Sequence, residues 1–164
     1  MGDAALRDLA QRLQGICLGR GLTVAVAESC TGGLVAAAIT DVPGSSGYFL
    51  GGVVSYSNSA KTALLDVPES MLEAHGAVSA QVGRQMAVGA RRRFGAALAA
   101  SVTGVAGPEG GMPGKPVGLT YVGVSDARGD DVRRFAWTGD RTINRHESAR
   151  AALELLLERA EAAG

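Results

Sequence analysis

Residues 22–33 read LTVAVAESCTGG, and their interpretation decides the fold. Leu22-Thr23-Val24-Ala25-Val26-Ala27 is a short apolar run of the kind that makes a buried strand. Leu34 to Ile39, with helix-like composition, follows two residues of glycine. Between them stand Glu28, Ser29, Cys30, Thr31, Gly32 and Gly33, a composition no hydrophobic core requires. A strand that hands over to a helix through small polar residues belongs to an α/β sheet, where ligands gather outside the carboxyl ends of the strands. The free N–H groups and partial positive charge of the following helix suit an anion or a developing oxyanion. A plain capped turn, with Ser29 or Thr31 satisfying the helix start, accounts for the same residues equally well.

The remaining pattern extends that reading in both directions. Ala4–Leu18 carries Leu6, Leu9, Leu13 and Ile16 at helical spacing and stops at Gly19 and Gly21. Thr31–Thr40 reads as a helix, Asp41–Gly47 as a turn cluster and Tyr48–Tyr56 as a second strand. Short helices follow over Asn58–Leu65 and Pro68–His75, and Ser79 caps a longer one through Phe94. Ala97–Thr103 is a strand of small residues that empties into the glycine-rich segment Gly104–Gly118. Leu119–Val124 and Val132–Thr138 form a hairpin-like pair, and Thr142–Ala162 is a closing helix. This order predicts a three-layer α/β/α fold with a mixed, mostly parallel sheet, in one domain spanning residues 1–164.

Composition narrows the function. Formal net charge is zero, which leaves no basic footprint for sequence-independent nucleic-acid binding. No apolar run is long enough to span a membrane, and the mixed-charge N-terminus does not suit a secretory signal, so a cytoplasmic location is expected. Cys17 and Cys30 read as free thiols, and His75 and His146 are too scattered to complete a metal site. Of 16 Lys and Arg residues only Lys61 and Lys115 are lysine. Lysine can release its proton when its surroundings lower its pKa, and arginine cannot. A lysine kept in so arginine-rich a chain is a candidate base.

Three segments then carry candidate chemistry. Ser29 and its glycine turn form the first. Val53-Val54-Ser55-Tyr56-Ser57-Asn58-Ser59-Ala60-Lys61 is the second, placing Tyr56, Asn58 and Lys61 at the end of a strand on the same sheet edge as Ser29. Four residues separate Tyr56 from Lys61, and no GxGxxG fingerprint follows the first strand, so a nicotinamide dehydrogenase is rejected. GxxxxGK[ST] and GxSxG are both absent. The third is Ser101–Gly111, where Thr103, Gly104 and Gly107 offer backbone groups to a phosphate or ribose. Gly139-Asp140-Arg141 precedes the last helix, and Arg141 can reach a phosphate there; Arg145 lies within that helix.

Taken together, AESCTGG, VVSYSNSAK, HGAVS, TGVAGPEGG, KPVG and GDR closely resemble the C-terminal domain family of the competence/damage-inducible protein CinA, from about Thr23 to the last helix. The resemblance implies the stand-alone form of that domain, a three-layer mixed sheet and a nicotinamide mononucleotide amidohydrolase that uses a serine and a lysine. It assigns Ser29 as nucleophile, Lys61 as general base and Tyr56 as the third catalytic residue. The glycine loop and Arg141 would hold the nucleotide. No metal or cofactor is implied, and a homodimer is expected. On this reading, backbone amides around Thr31–Gly33 hold the oxyanion, and the helix after Ser29 helps depress the pKa of Lys61. Cys30 is the rival nucleophile. A silent pyridine-nucleotide-binding module and a competence or DNA-damage accessory are the alternatives to the enzyme.

Overall fold

A computed structural model describes residues 3–163. The elements are α1 (Asp3–Arg20), β1 (Val24–Glu28), α2 (Leu34–Thr40), β2 (Phe49–Val54), α3 (Asn58–Leu65), α4 (Glu69–His75), α5 (Ala80–Phe94), β3 (Leu98–Gly104), β4 (Leu119–Asp126), β5 (Gly129–Ala136) and α6 (Arg141–Ala162), with a 3-10 turn at Ser45–Gly47. The strands form one sheet in the order β2-β1-β3-β4-β5. β1 runs parallel to both β2 and β3, whereas β4 is antiparallel to β3 and to β5. Four strands therefore share a direction and β4 is reversed, which is the mixed sheet the sequence predicts.

Alternation along the strands sorts the core into two layers. Val24, Val26, Leu98, Ala100 and Val102 face α1, α2 and α6. Ala25, Ala27 and Ala99 face the other way, toward Leu65, Leu72, Val82 and Met86 of α3, α4 and α5. The small residues of β3 thus have a structural cause. They admit α5: Ser101 Oγ donates to the Gly83 carbonyl and accepts from Gly123 N–H, and a Cβ at Gly123 would stand 2.4 Å from the Gly83 oxygen. The close approach expected there is made by a helix.

Two of the boundary differences from the sequence reading have a clear local cause. α2 begins at Leu34 and not at Thr31, because Gly33 at φ +108° takes the left-handed conformation at its start. The β4–β5 hairpin closes on Ala127 and Arg128 alone, so β5 starts at Gly129. No helix among the described residues is long and apolar enough to cross a membrane.

The connections fix where a ligand can sit. The chain leaves β1 through α2 to reach β2 on one side, then returns past β1 through α3–α5 to reach β3 on the other. The crevice beyond the ends of β1 and β3 is the switch point of such a sheet. Ser29 lies there, its N–H bonded to the Val102 carbonyl.

Candidate active site

Glu28 organises the turn after β1. Its carboxylate is buried and accepts from three amides of the next helix: Oε1 from Gly33 N–H at 3.2 Å and Val35 N–H at 2.9 Å, Oε2 from Ala36 N–H at 3.0 Å. A charge at a helix N-terminus is favourable, and three orphan donors are satisfied at once. The cap is therefore Glu28 and neither Ser29 nor Thr31. This frees the Ser29 hydroxyl for other work.

That hydroxyl meets Lys61. Ser57 opens α3 by accepting from Ala60 N–H, which sets Lys61 one turn in, with its side chain directed inward. Lys61 is 1 % exposed. Nζ lies 2.9 Å from Ser29 Oγ, 2.7 Å from the Ser55 carbonyl and 3.2 Å from the Tyr56 carbonyl. Burial pushes its pKa down to about 8. As the ammonium, Lys61 donates its three N–H groups to these three oxygens. Once neutral, the amine can keep both carbonyl bonds and turn its lone pair to the Ser29 O–H. Desolvation by burial is the cause of the depression, and the Glu28 side chain occupies the first amides of α2.

Arg145, on α6, reaches back across the site. Its Nε donates to the Cys30 carbonyl and its Nη2 to the Thr31 carbonyl, both at 3.0 Å. In a trans peptide the C=O and the following N–H point in opposite directions. Arg145 therefore turns the N–H groups of Thr31 and Gly32 away from itself. Gly32 N–H is taken by the Ser29 carbonyl and Gly33 N–H by Glu28. Of the amides expected to hold an oxyanion, Thr31 N–H is left, joined by Cys30 N–H; neither bonds a backbone carbonyl among the described residues. Gly32, at φ +59°, sits in the left-handed region that favours glycine, and a Cβ there would lie a tight 3.2 Å from Arg145 Nη2.

The other expected site residues divide. Tyr56 touches Lys61 through its carbonyl, while its side chain is 63 % exposed. Asn58 is exposed at the start of α3 and lines a cavity of about 240 Å³ with Ser59, Thr62, Glu69, Leu72 and Glu73. The Thr103 hydroxyl donates to the Ala77 carbonyl, and a Cβ at Gly104 would strike Thr120 Oγ1, so both serve packing. Arg141 Nη1 donates to the Gly107 carbonyl at 2.8 Å. Asn144 Nδ2 donates to the neighbouring Ala106 carbonyl. One end of α6 thus grips both glycine-rich turns, and Asp140 caps it by accepting from Ile143 N–H. The Thr31 hydroxyl is buried with no partner among the described residues. Lys115, the second lysine, donates to the His75 carbonyl at the end of α4 and ties the 105–118 loop down. Cys30 is buried and its thiol is pushed up to about 11 by desolvation, which suits an inert side chain.

The CinA C-terminal domain family model matches residues 6–160. The chain belongs to that family. A CinA-like protein of Desulfotalea psychrophila is 55% identical over 84% of this chain and 33% of its own length. One from Citrifermentans bemidjiense is 56% identical over 83% of this chain and 33% of its own length. The chain thus spans about a third of these CinA-like relatives. Among solved structures, the competence/damage inducible protein CihA from Agrobacterium tumefaciens aligns with a TM-score of 0.92 at 41% identity, covering 94% of both chains. A CinA superfamily protein from Klebsiella pneumoniae aligns with a TM-score of 0.91 at 32% identity, over 95% of this chain and 98% of that one.

Proposed function

We propose that this CinA-family chain is a nicotinamide-nucleotide amidase that converts nicotinamide mononucleotide and water to nicotinate mononucleotide and ammonia. The observation that carries the proposal is the contact between Ser29 Oγ and a buried Lys61 amine that two carbonyls hold in place. An amide is a weak electrophile and a serine hydroxyl a weak nucleophile, so the reaction needs a base beside the hydroxyl and donors for the oxyanion. Lys61 takes the Ser29 proton as Oγ attacks the carboxamide carbon. The N–H groups of Cys30 and Thr31 receive the developing oxyanion. Collapse breaks the C–N bond, and the Lys61 ammonium returns the proton to the departing ammonia. The neutral amine then deprotonates a water that attacks the acyl ester, and the resulting ammonium returns that proton to the departing Ser29 Oγ, which releases nicotinate mononucleotide and restores the hydroxyl.

Tyr56 supports this reading from the edge: its exposed ring suits stacking against a cationic pyridinium. Arg141, bonded at one nitrogen to Gly107, has further donors for the phosphate. The test is ammonia release from nicotinamide mononucleotide by the parent protein and by Ser29→Ala. Release by the parent alone supports the amidase. No release by either, with nicotinamide mononucleotide still bound in a calorimeter, makes the pocket a binding module.

A further inference from the structure

The first turn of α6 packs against two turns at once. Arg141, Asn144 and Arg145 stand at i, i+3 and i+4, so they share one face of that helix. Each donates to main-chain carbonyls of the turns after β1 and β3: Arg145 to Cys30 and Thr31, Arg141 to Gly107, and Asn144 to Ala106. Asn144 differs from the two arginines. It is uncharged and 1 % exposed. Its amide is engaged at both ends: Nδ2 donates to the Ala106 carbonyl and Oδ1 accepts from Gly139 N–H, both at 3.0 Å. Asn144 thus ties the Gly139 turn, from which Arg141 emerges, to the turn whose Gly107 carbonyl Arg141 grips. An apolar side chain at this position would avoid desolvating an amide, but it could not hold the two turns together.

We propose that Asn144 is a positioning residue for the phosphate of the substrate: by locking the two turns together it fixes the Arg141 guanidinium, and so makes the site prefer the nucleotide to its nucleoside. The inference rests on the amidase reading and deepens it. Arg141 is exposed, and one bond to Gly107 steadies its head only as far as Gly107 itself is fixed. Asn144 fixes it, because the Ala106 carbonyl it holds immediately precedes Gly107. The α6 N-terminus is already occupied by the Asp140 carboxylate, which accepts from Ile143 N–H. A phosphate at this end therefore depends on the remaining donors of Arg141, and their placement matters. The side-chain bonds of Asn144 reach neither Ser29 nor Lys61, so its effect falls on binding and not on the chemical step. A nucleoside has no phosphate and gains nothing from that placement.

The experiment is ammonia release from nicotinamide mononucleotide and from its riboside by the parent, Asn144→Leu, Arg141→Met and the double variant. Asn144→Leu, folded by circular dichroism, is expected to raise KM for the nucleotide about tenfold with kcat nearly unchanged, and to leave kcat/KM for the riboside within about threefold. With Arg141→Met already in place, the same substitution is expected to change the nucleotide's KM by less than about twofold, because the guanidinium it positions is gone. Equal losses on both substrates overturn the proposal, since a purely structural role gives that result. An unchanged KM overturns it, as does a full effect of Asn144→Leu without Arg141. If the Asn144 variants do not fold, hydrogen exchange on the parent decides: the nucleotide is expected to slow the Gly139 amide about tenfold more than the riboside does, and equal slowing overturns the proposal. A parent that releases no ammonia removes the amidase reading separately. Calorimetric Kd values for the two ligands then give the same comparison, and a parent with no preference for the nucleotide overturns the role of Asn144.

Discussion

Lys61 Nζ lies 2.9 Å from Ser29 Oγ across 32 residues of chain, inside a site where the lysine is almost wholly removed from water. Two rigid elements make that contact. Ser29 follows the end of β1, and the first turn of α3, the helix after β2, delivers Lys61. Among the described residues no carboxylate pairs with the amine, and burial depresses its pKa.

This arrangement sets a pH profile. In the proposed mechanism the neutral amine is the active form, so turnover is expected to rise with pH along a limb with an apparent pKa near 8 and to level off above it. At pH 7 about a tenth of such an amine is neutral, against roughly one in a few thousand for an ordinary lysine. Lys61→Met, which keeps the length and volume and loses the base, should lower kcat by about 10³ or more. A rate for the parent that stays flat from pH 6 to pH 9, measured by ammonia release, would remove Lys61 from the proton transfer.

Glu28 should prove a stability residue. Glu28→Gln replaces one acceptor oxygen with an NH₂ group among three inward-pointing N–H donors, so at least one buried amide loses its partner. The expected loss is about 1.5–3 kcal/mol, read as a lower midpoint in urea with an unchanged m value. An unchanged midpoint would mean that α2 does not depend on this cap.

Much of this framework is legible in the sequence, and the limits are instructive. The strand–turn–helix reading of residues 22–40 follows from an apolar run, a polar break and a second apolar run. Ser29 and Lys61 stand out because each is chemically odd for its place. Glu28 does not stand out, because a lone carboxylate at the end of a strand reads as a spacer until the unpaired amides of the next helix are counted. Arg145 was visible as an arginine one turn beyond Arg141, but its two acceptors are main-chain carbonyls that side-chain identity does not reveal. Tyr56 shows the same blind spot: its phenol draws attention, while the atom touching Lys61 is its carbonyl. The small residues of β3 point correctly to a close approach, but pattern alone does not tell a ligand from α5.

In the proposed amidase Arg145 is expected to act through the turn it holds. Arg145→Met leaves the Cys30 and Thr31 carbonyls unclamped and lets the Thr31 N–H swing from its position. Removing one oxyanion donor typically costs 10²–10³ in rate. A misaimed donor should therefore lower kcat about 10–100-fold, with KM changed much less. An equal rise in KM at constant kcat would assign Arg145 to substrate binding. A collapse in melting temperature would assign it to the fold.

Cys30 and Ser29 are adjacent, and a single pair of variants separates them as nucleophiles. A thiol acts through its thiolate, and the Cys30 thiol is pushed up to about 11 by a site that excludes water. At pH 7 only about one such thiol in 10⁴ is ionised, against a few per cent for an unperturbed cysteine. Lys61 Nζ contacts the Ser29 oxygen, and among the described residues no base is in hydrogen-bond contact with the Cys30 thiol. Cys30→Ala should therefore keep turnover within a few-fold of the parent, and thiol-alkylating reagents should inactivate the folded protein slowly. Ser29→Ala should lose at least about 10³ in kcat while still binding nicotinamide mononucleotide. The reverse outcome, an inactive Cys30→Ala beside an active Ser29→Ala, would make the serine a binding group and move the covalent step to sulfur. Lys61 would then have to shift toward the thiol before any bond could form.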